Sequence, residues 1–211
     1  FLFGGPHDAA VRPPEVPDPA PVTAAVATPG APRAGERVLR PLRDRADLIR
    51  WGSGEIRVTG VALDDGRPGG APAFEHGARL HCEIEFEARA DVPSGSIGLG
   101  FSLRNTKGLD VIAYTTYDAG ERLPPLVAGQ RVRLAYQFDN LLAPGEYALV
   151  VNVENVVGLR KREYFDYVEN ALILHVASSR LIFSTVLPQI APVGCRVTPA
   201  AERRPHDAVA P

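Results

Sequence analysis

The sequence predicts an all-β protein, a two-sheet antiparallel β-sandwich, and three observations carry that expectation. Apolar residues recur with a period of two in segment after segment, glycine and proline turns separate those segments, and no stretch has a helical period of convincing length. The most regular run covers residues 80–88, where Leu80, Cys82, Ile84, Phe86 and Ala88 alternate with His81, Glu83, Glu85 and Glu87. Such a strand has one dry face and one wet face. Its dry face must be hidden against a second sheet.

Taken in order, residues 1–50 read as a mobile linker. Repeated prolines hold the chain near polyproline geometry, and the few large apolar side chains cannot offset the entropy of ordering a core. Leu39, Leu42, Leu48 and Ile49 could dock as a short amphipathic piece, interrupted by Pro41. The first ten residues, FLFGGPHDAA, have neither an initiating Met nor a basic leader before an apolar run. That predicts a piece cut from a longer protein.

From Trp51 the character changes. Ile56 and Val58 alternate with Arg57 and Thr59 until Gly60 shifts the phase to Val61 and Leu63, which reads as a β-bulge. After the run at 80–88 comes a hairpin over residues 96–118, with Leu99, Phe101 and Leu103 on one arm and Leu109, Val111 and Ala113 on the other, all expected inward. The turn between them is Asn105-Thr106-Lys107-Gly108, in which Asn105 accepts backbone hydrogen bonds and Gly108 supplies a positive φ. Val132, Leu134, Tyr136 and Phe138 form another inward row. Residues 147–153 are apolar on both faces and are expected to run centrally, residues 154–167 read as a charged loop, and residues 171–176 and 181–187 read as the last strands. The domain is therefore expected over residues 51–195, with residues 196–211 as a tail.

Composition excludes several function classes. A formal charge of −2 with scattered basic residues argues against a nucleic-acid partner. No apolar run reaches the roughly 18 residues of a membrane helix. Cys82 and Cys195 have no metal-binding spacing, so no metal site is expected; Cys82 reads as a core thiol, with a disulfide to Cys195 left open. There is no phosphate-cradling G-x-x-x-x-G-K-[ST] and no G-x-S-x-G elbow. The carboxylate pairs Asp118 with Glu121, and Glu154 with Asp166, fall in expected loops with no sign that one member is desolvated. His81 and His175 stand apart. No catalytic residue and no cofactor are expected, and binding is what remains.

Several short blocks in order resemble a known family. They are Gly52-Ser53-Gly54-Glu55-Ile56-Arg57-Val58, Phe74 with Gly77, the GFSLRNTKGLDVIAYTT hairpin, Leu142-Ala143-Pro144-Gly145-Glu146-Tyr147, and Asp166 ahead of Ala171-Leu172-Ile173-Leu174-His175-Val176. Together they resemble the Wzt-like C-terminal polysaccharide-binding domain of the ATPase subunit of O-antigen ABC exporters. The resemblance implies an immunoglobulin-like sandwich that recognises a bacterial polysaccharide at the cytoplasmic side of the inner membrane. It also implies a homodimer, formed in some members by exchange of the C-terminal strand, and a full-length protein that works with a membrane-spanning transporter subunit.

A sugar-binding face needs planar donors and acceptors beside an aromatic surface. The outward rows offer Ser102, Arg104, Tyr114 and Thr116 from the hairpin, Arg133 from a later strand, and Asn152. For each, the competing reading is an ordinary solvated or cross-strand residue. Gly98 and Gly100 are expected to leave room for a chain to approach, and Arg104 or Arg133 could meet an acidic sugar. The apolar run with Leu181, Ile182, Phe183, Val186 and Leu187 is the candidate dimer interface, with Ser178-Ser179 as its hinge. The alternative function is a structural or protein-interaction sandwich acting through that same C-terminal edge.

Overall fold

The computed structural model describes residues 25–26, 37–42, 45–67, 73–93, 97–121, 123–156, 162–182 and 191–198. Among these the strands are β1 (Ala25–Val26), β2 (Arg40–Pro41), β3 (Arg50–Trp51), β4 (Ile56–Asp64), β5 (Phe74–Glu75) and β6 (Arg79–Ala88). They continue as β7 (Ile97–Asn105), β8 (Asp110–Thr115), β9 (Arg131–Asp139), β10 (Gly145–Val156), β11 (Arg162–Ala177) and β12 (Ala191–Thr198). One sheet has the order β1-β12-β9-β6-β4-β2 and the other β3-β11-β10-β7-β8, with β5 added beside β11. All pairings are antiparallel except the two short ones, β1 with β12 and β5 with β11. This is the two-sheet sandwich that the alternation predicts.

The core forms where the two inner faces meet. Ile84, Phe86, Leu99, Phe101, Leu103, Val132, Leu134, Tyr136, Leu149 and Val151 are all buried. Phe101 of one sheet packs against Tyr136 and Phe138 of the other, with ring centroids 5.4 and 5.8 Å apart. The expected bulge in β4 is present as a register shift between Val58 and Gly60. At the hairpin turn Asn105 Oδ1 accepts from the backbone of Lys107 and Leu109, and Gly108 has φ 81°.

Four expectations need correction. In β8 the inward residues are Ile112 and Tyr114; of the row expected inward, Val111 is half-buried against the core, while Ala113 and, just before the strand, Leu109 are exposed. A shift between Leu103 and Arg104 in the β7–β8 register accompanies this phase, and a slip of one residue exchanges the two faces of a strand. The bulkier Ile112 and Tyr114 take the core side because they fill more of it. Secondly, much of the expected loop at 154–167 is strand: β10 and β11 form one long hairpin broken by register shifts at Leu149/Val151 and Val153/Glu154. Thirdly, Leu181 and Ile182 belong to no strand, and the last described strand is β12, which pairs with β9 and crosses the expected boundary at residue 195. Phe183, Val186 and Leu187 lie outside the described residues. Fourthly, residues on the linker side of the expected boundary join the fold. Leu42 is buried in the core, and Arg50 enters an ion-pair network.

That network ties the sheets together at one side. The Asp166 side chain is fully buried, and its carboxylate accepts from Arg50 Nε (2.8 Å), Arg50 Nη2, Arg57 Nη1 (3.2 Å) and the Val58 backbone N–H (2.7 Å). Arg50 Nη2 also donates to Val58 O at 2.8 Å. One carboxylate thus connects β3 and β11 to β4.

Both thiols are free. Cys82 and Cys195 lie in β6 and β12, with β9 between them, so their backbones are about 10 Å apart and beyond the span of a disulfide. Burial pushes the Cys82 thiol up to about 12, and it stays protonated and inert.

Candidate functional site

The structure distributes the expected site residues over three places. Ser102, Arg104 and Asn152 lie on the outer face of the β7-containing sheet, where Ser102 pairs with Val150, Arg104 with Ala148, and Asn152 with Gly100. Tyr114 faces the interior, its ring 5.8 Å from Phe101 and 5.1 Å from Tyr136. Burial first, and then the Glu121 carboxylate, raises the phenol above its ordinary value. Thr116 is 1% exposed, and its Oγ1 accepts from Leu99 N at 3.0 Å, closing the end of the hairpin. Arg133 sits on the outer face of the opposite sheet, where Nε donates to Glu83 (2.6 Å) and Nη2 to the Arg37 carbonyl (2.6 Å). Tyr114, Thr116 and Arg133 therefore do not share a surface with Ser102, Arg104 and Asn152. The alternation assigns Arg133 an outward position correctly but says nothing about which sheet.

The outer face of the β7 sheet carries an aromatic platform in which Trp51 and Tyr167 are not among the residues the sequence points to. Trp51 stacks on Tyr167 with centroids 4.7 Å apart and planes at 19°. Tyr164 meets Trp51 edge-on at 4.9 Å. Trp51 remains 48% exposed, so part of the indole is open to solvent.

Local sequence explains how the indole is held. Gly52 has φ 135°, and a Cβ there would lie 2.6 Å from the Phe165 carbonyl, so only glycine lets the chain run this close to β11. Ser53 N and Gly54 N then donate to Tyr164 O and Phe165 O at 3.0 and 2.8 Å. On the other side of β3, Arg50 reaches inward to Asp166. The register shift at Val153/Glu154 lets Phe165 turn inward while Tyr164 and Tyr167 stay on the outer side.

Next to the aromatics, Arg104 donates to Tyr167 Oη (3.0 Å), Glu169 (3.1 Å) and Asp110 (2.8 Å). The bond donated to Asp110 first, and then the one to Tyr167, hold the guanidinium well above its ordinary value, against the effect of burial. Burial opposes ionisation of Asp110, but the bonds from Arg104 and Ser102 outweigh it and hold the carboxyl below its usual range. Gly98 and Gly100 do not leave open room. A Cβ on Gly100 would come within 2.7 Å of Asn152 Oδ1, and one on Gly98 within 3.1 Å of Glu154. The two glycines let the Asn152 and Glu154 side chains lie flat across β7, which locks the polar edge of the face.

Hydrolytic chemistry finds no support in this arrangement. Glu154 and Asp166 point to opposite faces of the same sheet, and Asp166 is matched by two arginines. Among the described residues no group of three His, Cys, Asp or Glu is placed to hold a metal ion. His175 pairs loosely with Glu146, 3.8 Å away, and His81 with Gln137.

No curated protein matches the chain. A solved structure described as the C-terminal domain of Wzt superposes with a TM-score of 0.58 at 16% identity, covering 68% of this chain and 86% of that one. Its likeness shows the same fold. The family model of the Wzt C-terminal domain matches residues 47–187. The chain belongs to the Wzt C-terminal domain family and is a non-catalytic carbohydrate-binding domain of a Wzt-like ABC transporter subunit.

Proposed function

We propose that the outer face of the β7 sheet binds an extended O-antigen-type polysaccharide and holds it without cleaving it. The observation that carries this reading is the half-exposed Trp51 stacked on Tyr167 beside the fixed polar groups Arg104, Ser102 and Asn152. An indole face covers the apolar side of a sugar ring, while the polar groups set its orientation through hydroxyl contacts. Each such contact replaces a hydrogen bond to water and gains little, so short fragments bind weakly. Trp51→Ala should weaken binding about tenfold by titration calorimetry, because it removes the stacking surface and leaves the interior untouched. Equal affinity for wild type and variant would place the ligand elsewhere. The polymer should keep its length after incubation.

The finer partners follow from the same reading. The domain acts with a membrane-spanning transporter subunit at the cytoplasmic face of a bacterial inner membrane, and among the described residues no helix is long and apolar enough to cross a membrane itself. It acts as a homodimer through the apolar run after β11, where Leu181 is 80% exposed. A dimer places two faces on one long polymer and raises avidity when the span matches. Analytical ultracentrifugation should give a dimer mass that Leu181→Asp lowers to a monomer; a monomeric wild type at micromolar concentration defeats the assignment.

A further inference from the structure

Past Arg104, towards the β7–β8 turn, the outer face of the β7 sheet deepens into a cleft of about 480 Å³. Arg45, Asp47, Thr106, Glu146, Asn170 and Ile173 contribute to its lining. The volume lies within the range of small-molecule sites, about 300–1,000 Å³. Its position is not independent of the platform. Arg104 borders the cleft, and the same guanidinium donates to Tyr167 Oη under the Trp51 stack. Ala148 pairs with Arg104 on one side and Ile173 on the other, so all three share the outer row.

We propose that this cleft is a second sugar subsite, continuous with the aromatic platform and occupied by a neutral sugar of the same glycan chain. The proposal rests on the reading of the platform as the glycan-binding face. Three features give the cleft its ligand class. Ile173, a lining residue 51% exposed, offers an apolar surface to a ring face. Asp47, Glu146, Thr106 and Asn170 provide acceptors and donors that match hydroxyl groups. The two guanidiniums at the cleft are each already matched by carboxylates: Arg45 by Asp47 at 3.1 Å, with a further bond to Ala171 O at 3.0 Å, and Arg104 by Asp110 and Glu169. An anionic sugar would have to displace those carboxylates and would meet Glu146 as well. A hydroxyl-rich neutral one does not.

Distance makes the two subsites cooperate. From Asn152 beside Tyr167 to Ala148 beside Ile173 the sheet extends about 13 Å along β10, at about 3.3 Å per residue. That exceeds one sugar ring, so a fragment must span several residues of polymer to fill both places. Binding the second subsite is then intramolecular for a long fragment and unavailable to a short one.

The test uses fragments from partial hydrolysis of the surface polysaccharide of the organism that encodes the chain, separated by size and by charge. Titration of wild type should show affinity rising with length and then levelling once both subsites are filled. Ile173→Ala and Glu146→Gln, both at half-exposed strand positions, should remove that rise, lowering affinity for long neutral fragments about tenfold toward that of short ones. Thermal unfolding of each variant checks that the sandwich is intact. If either folded variant keeps the full length dependence, or if wild type shows none, the second subsite is overturned. If acidic fragments bind more tightly than neutral ones, the ligand class is overturned. Trp51→Ala reports on the platform separately: loss of affinity at every length upholds that face whatever the cleft does. Wild type that binds no fragment overturns both.

Discussion

Replacing Asp166 with Ala should destabilise the domain by about 3 kcal/mol, because one carboxylate satisfies Arg50, Arg57 and the Val58 N–H at once. A buried ion pair adds little when compared with a well-packed apolar alternative, yet removing one member is costly since its partners stay behind. Here two guanidiniums would face each other without a counter-ion, and a buried N–H would lose its acceptor. Both arginines keep some contact with solvent, which holds the expected loss to the lower part of the range for broken buried pairs. Urea unfolding measures it through the shift in midpoint at constant slope. A loss below about 1 kcal/mol would mean that water replaces the carboxylate and that the network does not hold the sheets together.

Phe101→Ala should cost about 3–5 kcal/mol through lost transfer free energy and the cavity left behind. Phe101 is 2% exposed and touches Tyr114, Tyr136 and Phe138, so its ring is the point at which three strands from both sheets meet. Three aromatic neighbours cannot all move into the space without breaking their own contacts. Phe101→Leu retains much of the volume and should cost less than half as much. Equal losses for the two variants would show that the site tolerates collapse.

The sandwich was legible because each long strand carries its alternation openly. Glu83, Glu85 and Glu87 could not face the core, and Leu80, Cys82, Ile84 and Phe86 could not face water, so β6 had one solution. In β8 both rows are apolar enough to be inward, and the choice fell to side-chain bulk and a register shift that no local pattern announces. Tyr114 moved from the proposed ligand face to the core for that reason. Arg133 failed differently. Period-two patterning fixes in or out, but the sheet to which an outward residue belongs depends on long-range pairing. The residues that make up the platform lay in stretches with no period to follow: Trp51 in a strand of two residues, and Tyr164 and Tyr167 across a bulge in a segment whose charges resemble a loop. The one available signal was the lone tryptophan set directly before Gly52-Ser53-Gly54, a large ring with few apolar neighbours in sequence to bury it.

That tryptophan also makes the site self-reporting. Since the chain contains a single Trp, emission excited at the red edge, where its six tyrosines hardly absorb, comes from one ring, stacked on Tyr167 and still half exposed. A sugar settling on the exposed part of the indole dries it and shifts the emission to shorter wavelength, while a ligand bound to the opposite sheet leaves the spectrum alone. Occupancy of this face can therefore be followed in unmodified protein, without a dye, a label or an engineered probe.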